Sequence, residues 1–337
     1  MGRSILLRGG GGIHSDLFYH ITSFENLYGA WREFKRCKGK KQEIQVFEFN
    51  LETNLSLLSK QLREKIYTPE PYVPFYVYDP KRRHIHKATV RDRVVHQALY
   101  RILAPIFETQ FIDDSFACRV GKGTHRGVLR LESFLQRASN NSKKTAWALK
   151  CDVKKFFDSI DHDILRTQIV RRVMDENVLW LVDIILHSFE KEKGKGLPLG
   201  NVTSQLFGNI YLHELDRYIK HELQIKQYVR YCDDFVIVAK ERSILEMLIP
   251  KIADFLGKEL QLVLHTRKVI IRKYGQGVDF LGYVLRPHHK TLRTSTKKRM
   301  FAKSKLDITK EQRASYLGIF SHSKSNSLKR KLLSLSK

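Results

Sequence analysis

The sequence predicts an α+β fold, in which helices alternate with antiparallel strands. Amphipathic helical patterns and short β-rich runs follow one another, without the repeated strand-helix-strand spacing of a doubly wound parallel sheet. Acidic residues stand at the ends of two of the predicted strands, at position 152 and at positions 233–234. With 337 residues, of which 42% are hydrophobic, the chain can bury its core in one large lobe or in two or three smaller ones.

The first 145 residues are predicted to be mainly helical. Residues 1–15 include a short glycine-rich and basic stretch, which we interpret as a flexible leader because it lacks the strand and helix of a phosphate loop. Residues 72–78 and 84–88 alternate like strands around a turn at 79–83, which predicts a basic hairpin. The spacing of apolar residues predicts helices at 23–36, 51–66, 92–107 and 128–137.

The rest of the chain is predicted to mix strands with helices. An apolar strand at 146–152 precedes two helices, and Asn201 is a good N-cap for a third helix that follows it. Helical spacing predicts helices at 162–174, 177–188 and 241–257. Runs rich in β-branched and aromatic residues predict strands at 235–238, 260–265, 269–271 and 278–285.

The most informative segment reads Tyr-Cys-Asp-Asp and covers residues 231–234. Its adjacent carboxylates, Asp233 and Asp234, lie between an apolar lead-in and a β-rich run, which predicts a tight turn between strands. Neighbouring carboxylates repel each other and are costly to desolvate unless a cation lies between them, and their oxygens suit Mg²⁺. An isolated acid pair of this kind also fits a solvated hairpin turn.

A second acidic site favours the cation-binding interpretation. Asp152 ends the apolar strand that begins near Ala146 and leads into a segment with two further acids, Asp158 and Asp161. If the two strands are neighbours in one sheet, three carboxylates meet at its rim. Such a trio can hold two Mg²⁺ ions, with Mn²⁺ as an alternative, as phosphoryl transfer requires.

The charge of the chain predicts a polyanionic partner. There are 61 Lys and Arg residues against 35 Asp and Glu, a net charge of +26, which favours nucleic acid. Membrane binding is the rival, but no apolar run approaches the roughly 18 residues of a spanning helix, and the N-terminus lacks a hydrophobic signal core. The four cysteines lack the spacing of a metal knuckle or a disulfide framework, so we expect a reducing cytoplasm.

Three further segments are candidates for contact with nucleic acid or nucleotide. Residues 286–337 contain fifteen Lys or Arg and two acids, which favours a folded basic lobe on a duplex over a disordered tail. Residues 114–126 combine cations with glycines and would let the backbone approach phosphates, although such a loop is commonly a simple connection. Residues 194–205 carry three glycines before a helix, which suits either a flat substrate or an ordinary turn.

In their order, these motifs resemble those of reverse transcriptases from about residue 16 to residue 333. The match consists of a first block at 83–99, a second at 115–119, motif A at 151–162, motif B at 197–205, motif C at 231–234, Lys268 in motif D, and a primer grip at 280–282. The resemblance implies a right-hand polymerase fold with fingers at 16–145, a palm at 146–285 that holds motifs A to E, and a short, basic, helical thumb at 286–337.

The resemblance also implies roles for individual residues. Asp152, Asp233 and Asp234 would be catalytic and, with the Val153 carbonyl, would bind two Mg²⁺ ions. The nucleotide site would include Arg83, Lys155, Phe156, Phe157, Leu199, Gly200 and Lys268. The template and primer would contact Arg91, Arg119, Ser204, Gln205, Phe280, Leu281 and Gly282. Phe157 fits a filter against the ribose 2′-hydroxyl or plain core packing, and Lys268 fits a proton donor or an exposed lysine.

Motif B indicates a subfamily. Where group II intron and retron enzymes usually have Gln and Pro, this chain has Leu199 and Gln205, which is similar to the reverse transcriptases of diversity-generating retroelements. We expect a complete member, made in the cytoplasm of a bacterium or archaeon or encoded by a phage. The resemblance implies error-prone copying of a template-repeat RNA at adenines into cDNA, with deoxynucleoside triphosphates as substrates and a basic, pentameric accessory variability determinant protein as partner.

Other functions stay open at this point. A group II intron, retron or defence-type reverse transcriptase would share the same palm, and a maturase-like RNA-binding protein could carry an idle one. The intact acidic trio argues against an idle palm. A purely structural basic protein would have no need for three acids at strand ends.

Overall fold

The computed structural model describes residues 16–78, 82–304 and 310–321. The predicted leader at 1–15, residues 79–81 of the predicted hairpin turn, and residues 305–309 and 322–337 of the predicted thumb lie outside the described residues. Within them the strands pair antiparallel and alternate with helices along the chain, so the predicted α+β class is confirmed. None of the helices in the described ranges combines the length and apolar character that crossing a bilayer requires.

The first part of the chain is helical apart from one hairpin. Its helices are α1 (Leu17–Thr22), α2 (Phe24–Lys35), α3 (Gln42–Phe49), α4 (Leu51–Arg63), α5 (Val90–Glu108) and α6 (Thr124–Ala138). The hairpin consists of β1 (Val73–Val77) and β2 (Arg83–Lys87), as predicted.

The remaining elements follow in this order: β3 (Trp147–Asp152), α7 (Phe156–Ser159), α8 (His162–Val170), α9 (Glu176–His187), α10 (Val202–Arg217), β4 (Tyr228–Tyr231), β5 (Asp234–Ala239), α11 (Arg242–Leu260), β6 (Ile270–Lys273), β7 (Val278–Phe280), β8 (Tyr283–Arg286), β9 (His289–Leu292), α12 (Thr294–Ser304) and α13 (Lys310–Ser321). A π-helical turn follows α10 at Tyr218–Glu222.

The chain forms two compact units, each built from three separate stretches of sequence. The first unit comprises the described residues within 1–112 together with 155–216 and 256–262. The second comprises 113–154, 217–255 and the described residues from 263 onward.

The first unit has a helical core. Helix α2 buries Leu27, Trp31 and Phe34 at intervals of three and four residues, so one face of the helix is apolar and packs against α5. Local caps fix where these helices start: the Ser23 side chain accepts a hydrogen bond from the backbone N–H of Asn26, and Thr89 does the same for α5.

A buried histidine joins α5 to α10 inside the first unit. The Nδ1 atom of His96 lies 2.7 Å from Oγ1 of Thr203, and burial lowers the pKa of His96 to about 4 from its usual 6.5. Between pH 6.5 and pH 4, His96 is therefore protonated in the unfolded chain but neutral in the folded one. The free energy of unfolding consequently falls as the pH drops below 6.5.

We expect acid to destabilise the wild-type protein more than a His96→Gln variant. Between pH 7 and pH 5 the wild type should lose about 2 kcal/mol of unfolding free energy through this group, because its folded pKa lies near 4. Urea unfolding at both pH values measures the loss. An equal loss in the variant would contradict His96 as its source.

The second unit is built on an antiparallel sheet with strand order β4-β5-β3-β6. One face of this sheet packs on α6 and on a three-stranded sheet with order β7-β8-β9. Val229, Val236 and Ala148 face this core, where Leu131, Phe134 and Phe280 are also buried. The apolar alternation of β3 and β5 thus becomes one buried face and positions the ends of both strands.

Two sequence predictions were wrong in this unit. The predicted strand at 278–285 is a hairpin, because Leu281 and Gly282 adopt positive φ angles of 49° and 88° and reverse the chain so that Phe280 pairs with Tyr283. The predicted strand at 260–265 is also absent: α11 continues to Leu260, and Leu264 forms an isolated bridge with Val153. Elements α1, α3, α7 and β9 are not predicted from the sequence as separate elements.

Candidate active site

The two acidic strand ends predicted from the sequence are neighbours in one sheet. Strands β3 and β5 pair antiparallel in a register that sets Asp152 opposite Asp234. Asp233 lies in the turn between β4 and β5, where Cys232 has a φ of 57°. The backbone N–H of Val153 donates to the carbonyl oxygen of Asp233 at 3.2 Å, which ties the turn to the end of β3. The prediction that these strands adjoin is confirmed.

Two lysines lie against the carboxylates. The ammonium of Lys268 is 2.7 Å from Oδ1 of Asp152, and that of Lys150 is 3.1 Å from Oδ2 of Asp234. Lys268, whose side chain is 39% exposed, is the last residue of a short helical turn, and its backbone N–H donates to the His265 carbonyl. Two of the three carboxylates are therefore each paired with a lysine of the same unit.

The pKa values of the acid pair are raised. Burial raises the pKa of Asp233, and the charge of Asp152 adds to the effect. Burial likewise raises the pKa of Asp234 to about 6, against the opposing influence of Lys150. Both shifts have the same cause, because a desolvated carboxylate beside other carboxylates disfavours its charge. A cation at this rim would relieve that cost.

The residues present fit a divalent cation. Oδ1 of Asp234 is buried and has no hydrogen-bond partner among the described residues, although an anionic oxygen in such a place requires one. The donors are carboxylate oxygens, which Mg²⁺ and Mn²⁺ prefer. Over the described ranges, no three acidic, His or Cys side chains lie close enough together to form a metal cluster as they stand.

The second unit also holds four of the predicted template or primer residues. Arg119 donates to the Ser115 carbonyl at 2.8 Å within its own loop. Phe280 is buried, and the Leu281–Gly282 turn lies near α6, where a Cβ built on Gly127 would be 3.5 Å from Cδ1 of Leu281. The turn residues are thus fixed by packing on one side.

The predicted nucleotide-binding residues at 155–157, which closely follow Asp152, belong to the first unit. Lys155 has a φ of 49° and precedes α7, Phe156 is buried, and the half-buried Phe157 ring is 5.1 Å from it in an edge arrangement. Both rings pack over Gly208 of α10, where a Cβ would lie 3.2 Å from Phe156 and 3.4 Å from Phe157. Because glycine has no side chain, position 208 leaves room for both aromatic rings.

The glycine-rich segment before α10 contacts the hairpin inside the first unit. Gly200 has a φ of 118°, and a Cβ there would be 3.3 Å from Cγ2 of Ile85. Leu199 is half-buried, Ser204 is buried and Gln205 is exposed. Helix α10 begins directly after Asn201, as predicted, and the Asn201 amide donates to the Tyr72 hydroxyl at 3.3 Å.

The two predicted arginines of the first unit differ in their surroundings. Arg83 begins β2 and is exposed. Arg91 is largely engaged: its guanidinium donates to the Thr68 carbonyl and to Asp92, and it lies 3.5 Å from Glu70. If Arg91 contacts the template, its guanidinium would have to bind the template in addition to these partners.

Sequence reasoning missed two cations beside the acidic turn. Arg230 is fully buried and donates to the Cys232 carbonyl at 3.2 Å, and Lys150 lies in the middle of β3. The signal for Lys150 is its position two residues before Asp152, because alternation puts both side chains on the same face of the strand. The four cysteines are free, and Cys151 is a buried packing residue.

Three comparisons relate this chain to known proteins. Residues 79–285 match the family model described as "Reverse transcriptase (RNA-dependent DNA polymerase)". Protein YkfC from Escherichia coli K12 is 25% identical over 71% of this chain and 73% of its own length. The group II intron-encoded protein LtrA from Lactococcus lactis subsp. cremoris is 24% identical over 81% of this chain.

The chain spans about half the length of LtrA, since the alignment covers 55% of that protein. Among solved structures, apo telomerase from Candida tropicalis, truncated from the C-terminal domain, aligns with a TM-score of 0.48 and 12% identity. That alignment covers 72% of this chain and 60% of the telomerase chain.

Proposed function

The chain belongs to the reverse transcriptase family of RNA-dependent DNA polymerases, and on that premise we propose that Asp152, Asp233 and Asp234 are its catalytic residues. The observation that carries the proposal is the register that sets Asp152 opposite Asp234, beside the turn that holds Asp233. Template RNA and deoxynucleoside triphosphates are the corresponding substrates. The division into fingers at 16–145, palm at 146–285 and basic thumb at 286–337 is part of the same proposal.

The three carboxylates, with the Val153 carbonyl, would hold two Mg²⁺ ions. Bound there, these ions would supply the positive charge that favours ionisation of the primer 3′-hydroxyl and offsets charge on the α-phosphate. The chain's own contribution is to keep the oxygens fixed, through the β3–β5 register and the bond from Val153 to Asp233. Lys268 is able to give a proton to the leaving pyrophosphate once its ammonium is no longer paired with Asp152.

Residues of the first unit would bind the incoming nucleotide. Arg83 is exposed and can offer its guanidinium fork to phosphate oxygens, while backbone N–H groups of Lys155 and Phe156 can donate to the same triphosphate. Phe157 would exclude a ribose 2′-hydroxyl, and its packing on Gly208 supports a fixed ring. Leu199 and Gly200 would lie beside the nascent base pair.

Template and primer contacts are proposed for seven residues. The seven are Arg91, Arg119, Ser204, Gln205, Phe280, Leu281 and Gly282. The exposure of Gln205 and the fixed turn at 281–282 support the proposal. Ser204 is buried, so it would contribute through its backbone or by positioning α10. The charge of +26 supports binding along a polyanion.

A primer-extension assay tests the function. The purified chain, an RNA template annealed to a DNA primer, the four deoxynucleoside triphosphates and Mg²⁺ should yield full-length cDNA. Parallel reactions with Mn²⁺ and with EDTA test the metal. Extension in EDTA, or none under any metal, would contradict the proposal.

We further propose that the enzyme serves a diversity-generating retroelement. Leu199 and Gln205 in motif B support this subfamily, in which the cDNA carries errors at template adenines and a basic pentameric accessory protein is the partner. The similarity to LtrA favours a second candidate, a group II intron-type reverse transcriptase or maturase. The frequency of errors at template adenines distinguishes them.

Leu199→Gln should lower misincorporation at template adenines. A glutamine at this half-buried position can hydrogen-bond near the nascent pair, whereas leucine can only pack, so a polar check on pair geometry is restored. We expect a several-fold drop in adenine errors, measured by sequencing cDNA made by both proteins. Leu199→Met, which keeps an apolar side chain of similar volume, is the matched control. An unchanged error spectrum in the Gln variant would refute the role of Leu199.

A further inference from the structure

Lys150 occupies a place on β3 where an apolar side chain would be expected. It lies opposite Val236 in the β3–β5 register and two residues from Ala148, and both of these neighbours belong to the buried core under the sheet. Its side chain is 21% exposed. An ammonium in such a place is costly unless it is paired, so its partners indicate why it is there.

The Lys150 ammonium bridges two separate segments of the second unit. On one side it lies 3.1 Å from Oδ2 of Asp234, in the acidic turn. On the other side it donates to the backbone carbonyl of Asp279 at 3.3 Å. Asp279 is the middle residue of β7 and comes just before the Phe280–Gly282 segment.

The turn at 281–282, which follows Asp279, is held by further contacts. The Asp279 carboxylate pairs with the Arg293 guanidinium, and the backbone N–H of Arg293 donates to the Gly282 carbonyl at 2.8 Å. A continuous series of polar contacts therefore runs from Asp234 through Lys150 and Asp279 to Arg293 and Gly282. Because the turn at 281–282 uses two left-handed residues, its position depends on such external restraints.

We propose that Lys150 is a positioning residue that couples the acidic turn at 231–234 to the turn at 280–283. The coupling holds the group that would seat the primer end at a fixed distance from the carboxylates that would act on it. The inference rests on the proposed function for its catalytic consequence, since only a polymerase has a primer end to align. Its structural part, the coupling of two turns, stands apart from activity.

Two substitutions at position 150 and one elsewhere test the coupling. Lys150→Met removes the charge but suits the apolar neighbours, and Lys150→Arg keeps a cation with several donors. The matched control is Lys220→Met, because the Lys220 ammonium also bridges a carboxylate, Asp114 at 2.7 Å, and a backbone carbonyl, Lys226 at 2.6 Å. Its side chain is 14% exposed, so the control removes a bridge in the same unit that is at least as buried as that of Lys150.

Hydrogen exchange of the metal-free protein gives a readout that is independent of activity. In Lys150→Met, amides at 278–283 should exchange at least about tenfold faster than in the wild type, and Lys150→Arg should restore most of the protection. Lys220→Met should leave these amides unchanged and affect those around 113–116 and 226–230. Unchanged exchange at 278–283 in Lys150→Met would overturn the coupling.

Single-turnover extension measures the catalytic consequence. With saturating nucleotide and metal, Lys150→Met should extend the primer about 10²-fold more slowly, since a misplacement of about 1 Å has that effect, while its affinity for primer and template stays within about twofold. Lys220→Met should extend at the wild-type rate, at a temperature where it is folded. Equal losses in the two Met variants would reduce Lys150 to a structural ion pair, and failure of the wild type to extend would refute the proposed function instead.

Discussion

Asp233→Asn is expected to reduce primer extension by at least about 10³-fold while the protein stays folded and bound to its template. The loss follows because the amide cannot replace a carboxylate that neutralises a bound cation in the transition state. Affinity for primer and template should be retained, since removing one anion does not weaken a chain of charge +26 on a polyanion. Single-turnover extension and a filter-binding assay measure the two effects separately.

The stability of this variant provides its internal control. Burial and the neighbouring Asp152 raise the pKa of Asp233, so the charged carboxylate opposes folding and its removal should leave the melting temperature unchanged or higher. A loss of activity that accompanies unfolding would therefore not count in favour of catalysis. Residual extension above about a tenth of the wild-type rate would show that Asp233 is not a required ligand.

The second large effect concerns Asp114, which joins three parts of the second unit. Its Oδ1 lies 2.6 Å from Nε of Arg130 on α6, its Oδ2 lies 2.7 Å from Lys220 in the π-helical turn, and its carbonyl accepts from the N–H of Arg230. The carboxylate side chain is 8% exposed. Asp114→Ala would leave the Arg130 guanidinium and the Lys220 ammonium without their carboxylate partner, so we expect a loss of about 3–5 kcal/mol in unfolding free energy.

The adjacent Asp113 offers a matched control for that measurement. Its side chain is 84% exposed and pairs with Lys122, so Asp113→Ala should cost no more than about 1 kcal/mol. Urea unfolding of both variants, followed by a probe in the second unit, gives the two values. Similar losses for the two aspartates would contradict the importance of burial at Asp114.

The acidic rim could be predicted from the sequence because it obeys a local rule. Carboxylates at strand ends are poor core material, so Asp152, Asp233 and Asp234 stand out without any knowledge of contacts. Lys150 could not be recognised in the same way. A lysine within an alternating strand ordinarily faces solvent, and only the packing of α6 and β7 on that face makes its position unusual.

The errors in the predicted elements have physical causes of the same kind. Residues 278–285 alternate like one strand, but Gly282 permits a left-handed turn, and a glycine inside a strand pattern is the signal that could have found it. Residues 43–46 alternate between polar and apolar side chains, which is not a helical pattern, so α3 could not be recognised from spacing. In the fold, the Glu43 side chain of α3 pairs with Lys87 and Arg93. Tertiary ion pairs of this type are not visible in local spacing.

The interleaved make-up of the two units has a consequence for synthesis on the ribosome. The first unit needs residues 256–262, where the Leu260 carbonyl accepts a hydrogen bond from the buried Tyr211 hydroxyl, so it cannot be completed until three quarters of the chain has emerged. By then two of the three stretches of the second unit have also left the exit tunnel. Neither unit can therefore finish folding before most of the other is present, and we expect fragments cut at residue 145 or 216 to be captured by chaperones rather than to fold alone.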